Sequence, residues 1–221
     1  MKINVITLIP ELYDTYFNFS VFYNALKDGI FSYELKNLRE FGLGIHKKVD
    51  DYPYGGGKGM ILRVEPLVNC LNSFEEKGRV IFFSPAGRKL DISIIKEYAK
   101  LSTITIVNGR YEGVDERFID NYVDDVISIG DFILTGGDPA ALTFIDALLR
   151  YVPGFLDKEA LLIESFEENL LEYPQYTRPE IFEGLKVPEI LLSGNHEQIK
   201  KWRDQKRIEF TLKHRPDLIN K

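Results

Sequence analysis

The chain has 221 residues, a hydrophobic content of 44% and a formal net charge of −6. These values are typical of a globular protein with one large domain, or with one large and one small domain. Cys70 is the single cysteine and lies in an apolar run, so a disulfide framework is excluded and a reducing, cytoplasmic setting is expected. We expect neither a signal peptide nor a membrane span, because a strand pattern begins at Lys2 and every apolar run is short.

The predicted elements alternate between strands and helices along the chain. They are a buried strand over residues 2–8, a helix over 10–19, a strand over 33–41, a polar glycine-rich loop over 42–60 and a helix over 66–74. Further strands over 80–83, 104–107 and 126–129 follow, with a helix capped by Asp91 after the first and an apolar helix over 139–150 after the third. This order predicts an α/β fold with a mainly parallel sheet.

The C-terminal part of the chain differs in composition and charge. Pro153-Gly154 ends the apolar helix, so we predict an α/β domain over 1–154, an acidic linker over 155–169 and a helical domain over 170–221. Asn195 and Gln198 have the spacing of a helix cap, and the helix is expected to reach about Lys206. Residues 195–221 carry a net charge of +4 against −10 for the rest. Contact with nucleic acid and a solvated helix face both explain this basic segment.

The last three strands each end in a short loop that contains glycine. The loops cover residues 84–88, 108–113 and 130–138. Because α/β proteins place ligands at the carboxyl ends of parallel strands, and glycine allows close backbone approach, these loops predict a small-molecule site. Ordinary turns remain the alternative for each loop taken alone.

The usual cofactor and metal motifs are missing from the sequence. Neither the dinucleotide fingerprint nor the phosphate-binding loop of the nucleotide hydrolases occurs, so a phosphate-bearing ligand is not indicated. His46, His196 and His214 are far apart and have no metal-ligand spacing, so no protein metal cage is predicted.

Seven segments, in order, resemble those of the TrmD-like bacterial tRNA (guanine-N1)-methyltransferases. They are VDDYPYGGGKGM at 49–60, SPAGR at 84–88, GRYEGVDER at 109–117, ISIGDFILTGG at 127–137, YPQYTRP at 173–179, LLSGNH at 191–196 and KWR at 201–203. The resemblance implies the SPOUT fold, which is an α/β domain with a deep trefoil knot, a rare exception to unknotted chains. It also implies a small helical C-terminal domain that holds tRNA, and a homodimer with shared active sites.

The activity implied by the resemblance is transfer of a methyl group from S-adenosylmethionine to N1 of the tRNA guanine immediately 3′ to the anticodon, position 37. The residues implied to bind this methyl donor are Phe82, Ser84, Pro85, Gly109, Tyr111, Glu112, Gly113, Ser128, Ile129, Gly130, Asp131, Phe132, Ile133, Leu134, Gly136 and Gly137. Backbone N–H and C=O groups can bind adenine and ribose without a phosphate site. The family also uses Mg²⁺, for which Glu112 is the candidate contact.

Methylation at N1 requires loss of the N1 proton, so a general base and a cation near O6 are expected. In the family an acid in the linker and an arginine at the end of the knot helix have these roles, and they correspond to Glu164 and Arg150. Glu164 stands where the family has aspartate, so Glu168 remains an alternative base.

The tRNA itself is expected to contact both predicted domains. The residues implied are Asp50, Gly55, Gly56, Gly57, Arg178, His196 and Arg203. A SPOUT methyltransferase that acts on another RNA, and a non-enzymatic RNA-binding module, remain the two alternatives. Methyl transfer to tRNA distinguishes them from the first interpretation.

Overall fold

The computed structural model of the chain describes residues 1–157, 161 and 164–219. The chain divides into two compact units, Met1–Leu156 and Asp157–Lys221. Residues 158–160 and 162–163 of the predicted linker lie outside the described residues, so the predicted domain boundaries stay a prediction.

The first unit is a parallel β-sheet covered by helices. Its strands are β1 (Lys2–Thr7), β2 (Ser32–Asn37), β3 (Asp50–Asp51), β4 (Ile61–Leu62), β5 (Arg79–Lys89), β6 (Thr103–Val107) and β7 (Asp125–Ser128). Its helices are α1 (Pro10–Phe17), α2 (Ser20–Lys27), α3 (Val64–Asn72), α4 (Ile92–Tyr98), α5 (Glu116–Tyr122) and α6 (Asp138–Leu149). The main sheet has the order β2-β1-β6-β5-β7 with parallel pairing throughout, which confirms the predicted fold class.

Both faces of the sheet are buried, which explains the continuous apolar runs of its central strands. Alternate residues of β5 point to opposite faces: Ile81 belongs to the core under α1, α4 and α6, and Phe82 to the core under α3 and α5. Cys70 packs in the second core, where burial raises the pKa of its thiol to about 12. Cys70 is therefore a small buried hydrophobic residue of this core.

The predicted helix over 10–19 and the predicted strand over 33–41 end earlier than expected, as do the strand over 2–8, at Thr7, and the helix over 66–74, at Asn72. The first helix stops at Phe17, and a separate helix begins at Ser20, whose φ of +54° breaks the helical path. The predicted strand over 33–41 ends at Asn37, because the Asn37 side chain accepts a hydrogen bond from Arg39 N and caps a 3-10 turn over Leu38–Phe41.

The predicted loop at 84–88 is an outward bulge within β5. Phe83 and Arg88 both pair with Ile127 of β7, so the residues between them project from the sheet. A methyl group on Gly87 would lie 2.5 Å from Ile127 N, which explains the glycine there. Arg88 closes the bulge through hydrogen bonds to Asp125.

Helix α6 confirms the predicted apolar helix over 139–150 with a shift of one residue. Its buried residues include Ala141, Phe144 and Leu148, and Phe144 packs against Phe83 and Tyr98 at centroid distances of 5.6 and 5.4 Å. The core of a single chain therefore covers most of this helix, and its apolar character by itself does not require a second subunit.

The second unit is mainly helical. It contains the hairpin β8 (Ile181–Phe182) and β9 (Leu185–Lys186), followed by α7 (Glu189–Leu192) and α8 (His196–His214). Asn195 caps α8 by accepting a hydrogen bond from Gln198 N at 3.2 Å, as predicted. The prediction that this helix ends near Lys206 was wrong, because Thr211 is buried and accepts a hydrogen bond from Leu171 N at 2.8 Å. None of the helices in the described part of the chain combines the length and apolar composition needed to cross a bilayer.

Candidate active site

Strands β5, β6 and β7 are neighbours in the parallel sheet, so their three glycine-bearing loops meet at one edge. A cavity of about 450 Å³ lies between these loops. This volume falls in the range of roughly 300–1,000 Å³ that is usual for small-molecule sites.

Fifteen of the sixteen residues predicted to bind the methyl donor line this one cavity. They are Phe82, Ser84, Pro85, Gly109, Tyr111, Glu112, Gly113, Ser128, Ile129, Gly130, Phe132, Ile133, Leu134, Gly136 and Gly137. Asp131 is the exception: its exposed side chain lies 3.6 Å from the ammonium group of Lys89. The structure thus brings together residues that lie up to 55 positions apart in the sequence.

Several lining residues were not predicted from the sequence. They are Phe83, Arg110, Val114, Glu116, Ile119, Ile127 and Ala140. Arg110 belongs to a predicted loop, so its motif could have indicated it. Ile119 on α5 and Ala140 on α6 reach the cavity only through the packing of their helices, which no local pattern shows.

The second and third loops are joined into one wall. Gly137 N donates a hydrogen bond to Gly109 O at 2.8 Å, and Arg110 pairs with Gly136 in an antiparallel bridge. A methyl group on Gly136 would lie 2.7 Å from Arg110 Cδ. Glycine at this position therefore allows the close approach of the two loops.

The acidic residues in the second loop and directly after it differ in their surroundings. Asp115 caps α5 and accepts two hydrogen bonds from the Arg117 guanidinium at 2.9 and 2.7 Å, which lowers the pKa of its carboxyl group. Glu112 and Glu116 instead line the cavity. Two carboxylates in the lining make the cavity suited to a ligand with positive charge.

The glycine-rich loop that is predicted to contact tRNA lies beside the cavity. Strands β3 and β4 pair antiparallel on either side of this loop, with Asp50 opposite Leu62. Hydrogen bonds of 3.0 Å connect Glu112 N to Met60 O and Leu62 N to Gly113 O. Asp50 and the loop with Gly55, Gly56 and Gly57 are therefore attached to the wall formed by residues 112–114.

If the cavity binds S-adenosylmethionine, as the resemblance of the sequence implies, Gly59→Ala is expected to weaken this binding about tenfold, which corresponds to about 1.4 kcal/mol. Gly59 has a φ of +88°, and a methyl group there would lie 2.4 Å from Glu112 Cγ, so the Glu112 side chain must move within the cavity lining. Isothermal titration calorimetry with S-adenosylmethionine measures the effect. Gly44→Ala is the matched control, because Gly44 has a φ of +69° but no atom near the added methyl group. Equal affinities for the two variants would contradict this account.

Arg150 and Glu164 lie outside the cavity lining given by the described residues. Arg150 is half-buried at the C-terminal end of α6, whereas Ala140 at the start of α6 lines the cavity. Ten residues separate them, or about 15 Å along the helix axis. Glu164 is half-buried in the second unit.

The three substrate residues predicted in the second unit gather around Tyr173. Arg178 and Arg203 line a cavity of about 480 Å³, and His196 and Arg203 line a second cavity of about 410 Å³ that also includes Tyr173. The Arg203 guanidinium lies 4.8 Å from the centre of the Tyr173 ring. A cationic and aromatic surface of this kind suits contacts with phosphate groups and with unpaired bases.

Within the described ranges, no group of three or more His, Cys, Asp or Glu side chains is placed to hold a metal ion. Glu112 alone does not make a protein cage for Mg²⁺, which prefers six oxygen ligands.

Comparison with known proteins agrees with this geometry. The family model described as tRNA (Guanine-1)-methyltransferase TrmD matches residues 1–221. The chain is 49% identical to the tRNA (guanine-N(1)-)-methyltransferase of Clostridium beijerinckii, with 100% of the chain and 93% of that protein covered. It is 48% identical to the proteins of the same name from Caldicellulosiruptor saccharolyticus and Treponema denticola, with 100% of the chain and 91% of each protein covered. The chain therefore belongs to the TrmD family of tRNA (guanine-1)-methyltransferases.

Proposed function

We propose that this protein transfers the methyl group of S-adenosylmethionine to N1 of the tRNA guanine immediately 3′ to the anticodon, position 37. The observation that carries the proposal is the cavity between the three loops, with the glycine-rich loop over 55–59 attached to its wall. Membership of the family and the names of the relatives support it. The trefoil knot and the cytoplasmic location expected from the sequence belong to the same proposal.

The residues of the cavity fit a nucleoside that carries no phosphate. Apolar side chains such as Phe82 and Leu134 suit the adenine ring, and Glu112 and Glu116 suit a cationic sulfonium and ammonium group. Gly113 has a φ of +133° and open space beside its Cα, so a ligand can approach the neighbouring peptide groups. Bound S-adenosylmethionine supplies an activated methyl group on its sulfonium sulfur.

The chemistry of N1 determines what the protein must do. N1 lies on the Watson–Crick edge of guanine, so the base has to be unpaired and splayed out of the anticodon loop. In our proposal Asp50 accepts hydrogen bonds from this edge, and the carboxylate of Glu164 takes the N1 proton. The N1–C bond then forms as the S–C bond breaks, and the guanidinium of Arg150 stabilises negative charge on O6.

We infer that the active site is completed by a second copy of the chain. Within one chain Arg150 is not among the residues that line the cavity, and it lies about 15 Å along the axis of α6 from Ala140, the residue of this helix that does. At the rim of the cavity Phe132, Ile133 and Leu134 are 54%, 82% and 39% exposed, and such an apolar group is favourable to bury against a partner. Sedimentation equilibrium is expected to give twice the mass of the chain.

Mg²⁺ has no defined place in this mechanism. Because the described residues offer no protein cage, the ion would take most of its ligands from water and the bound substrates.

The proposed function is tested by transfer of labelled methyl from S-adenosylmethionine to a tRNA transcript with guanine 3′ to the anticodon. A transcript with adenine at that position is the matched control. Label at N1 of the guanine, and none in the control, is the expected result. Transfer to ribosomal RNA but not to tRNA would favour a different RNA substrate, and RNA binding without transfer would favour a non-enzymatic module.

A further inference from the structure

Behind the cavity, four polar side chains are buried together where the surroundings are otherwise apolar. Thr7 at the end of β1, Tyr13 on α1, Asn108 after β6 and Asp138 at the start of α6 are at most 2% exposed. Burial of polar groups is unfavourable unless they are hydrogen-bonded, and burial of a carboxylate even more so. The hydrogen bonds of this buried cluster therefore indicate what it does.

One oxygen of Asp138 organises the cluster. Asp138 Oδ1 accepts hydrogen bonds from Thr7 Oγ1 at 2.6 Å and from Tyr13 OH at 3.2 Å. Asn108 Nδ2 donates to Tyr13 OH at 2.8 Å and to Ile6 O at 3.1 Å. The carboxylate also lies at the N-terminus of a twelve-residue helix, where a negative charge is favourable. These bonds connect β1, α1 and the segment after β6 to the first turn of α6.

The other oxygen of Asp138 faces the cavity loops. Asp138 Oδ2 is buried without a hydrogen-bond partner, and Arg110 Nε lies 3.7 Å from it. The same guanidinium donates through Nη1 to Thr135 O at 3.3 Å, and the Arg110 side chain packs on Gly136. Arg110 thus extends from the buried carboxylate to the loop before α6, and it lines the cavity.

We propose that Asp138 is a positioning residue for methyl transfer: its buried carboxylate holds Arg110 so that the loops over 109–113 and 130–137 keep the spacing that the methyl donor requires. The inference rests on the proposed function and adds a residue that contacts neither substrate. The negative charge is the essential property, because the side-chain amide of asparagine has the same shape but does not attract Arg110.

Asp138→Asn and Asp146→Asn form a matched pair of variants. Both residues lie on α6, and each accepts a hydrogen bond from a tyrosine hydroxyl of α1, Tyr13 for Asp138 and Tyr16 for Asp146. Both variants remove one negative charge from the same helix, but only Asp138 faces Arg110. We expect the larger loss in Tm for Asp138→Asn, because Asp138 is buried and accepts two hydrogen bonds, whereas Asp146 is partly exposed. Only Asp138→Asn is expected to raise the Kd and KM for S-adenosylmethionine, by about tenfold, with a much smaller change in kcat.

A double-mutant cycle with Arg110→Gln tests the route through Arg110. If Asp138 acts through Arg110, the double variant binds S-adenosylmethionine no more weakly than Asp138→Asn alone, because the two effects are not additive. Equal affinity of Asp138→Asn and Asp146→Asn, or fully additive effects, would overturn the inference. If Asp138→Asn does not fold, Arg110→Gln alone provides the test, because the Arg110 side chain is partly exposed and its replacement should be tolerated. A wild-type Kd of Arg110→Gln for S-adenosylmethionine would also overturn the inference. A wild-type protein that binds no S-adenosylmethionine would instead overturn the proposed function.

Discussion

Glu164→Gln is expected to lower kcat by about 10²–10⁴-fold, the usual contribution of a general base. The amide has nearly the size of the carboxylate but cannot take the N1 proton, so binding of S-adenosylmethionine should remain unchanged. Single-turnover methyl transfer to the tRNA transcript measures the rate, and calorimetry measures the binding. The rate of the variant should rise toward high pH, because N1 then loses its proton to solvent without a base.

Glu168→Gln is the comparison that identifies the base. Glu168 accepts a hydrogen bond from the largely buried Arg207 at 3.2 Å, so it already has a structural role in the second unit. We expect Glu168→Gln to lower Tm and to leave kcat nearly unchanged. A large loss of kcat in Glu168→Gln together with a near-normal rate in Glu164→Gln would move the base to Glu168.

Arg150→Ala is expected to lower kcat by about 10²–10³-fold, the range found when a donor that stabilises developing negative charge is removed. Arg150→Lys should be intermediate, because lysine keeps the charge but not the planar pair of donors. The alternative role of Arg150 is that of a cation at the C-terminus of α6, which contributes only about 0.3–1 kcal/mol to stability. A small change in Tm with a large loss of kcat therefore separates catalysis from helix stabilisation.

Subunit mixing shows where Arg150 acts. Gly136→Val should destroy the cavity, because even a methyl group would lie 2.7 Å from Arg110 Cδ. If Arg150 serves the cavity of the other subunit, mixing inactive Gly136→Val with inactive Arg150→Ala restores about one quarter of the wild-type rate, since about half of the dimers are mixed and each has one intact site. No restored activity after verified subunit exchange would place Arg150 in the cavity of its own chain.

Features that depend on near neighbours in the chain could be predicted from the sequence. Asp91 and Asn195 cap the helices that follow them, and the hydrogen bonds of both caps are confirmed. These caps could be predicted because each hydrogen bond spans only two or three residues. The three glycine-bearing segments could also be located, because each directly follows a buried apolar run, although the first is a bulge within β5. The order of motifs along the chain was sufficient to indicate the family.

The predicted ends of helices and strands were less accurate where contacts with distant residues determine them. Helix α8 continues past Lys206 because Thr211 accepts a hydrogen bond from Leu171, forty residues earlier. Strand β5 continues past Phe83 because Arg88 returns to pair with Ile127 of another strand. Local helix and strand propensities do not predict where these two elements end, since the free energy that stabilises their last residues comes from tertiary contacts.

The sequence by itself determined the alternation of strands and helices, the capping residues, the positions of the glycine-bearing segments and the resemblance to the methyltransferase family. Only the tertiary structure decided that Met60 and Leu62, directly after the glycine-rich loop, bond to Glu112 and Gly113, and that Thr7 and Asp138 meet in a buried cluster. These features join residues that lie from 51 to 131 positions apart in the chain. Their geometry follows from how helices pack on a parallel sheet, which the identity of neighbouring residues does not specify.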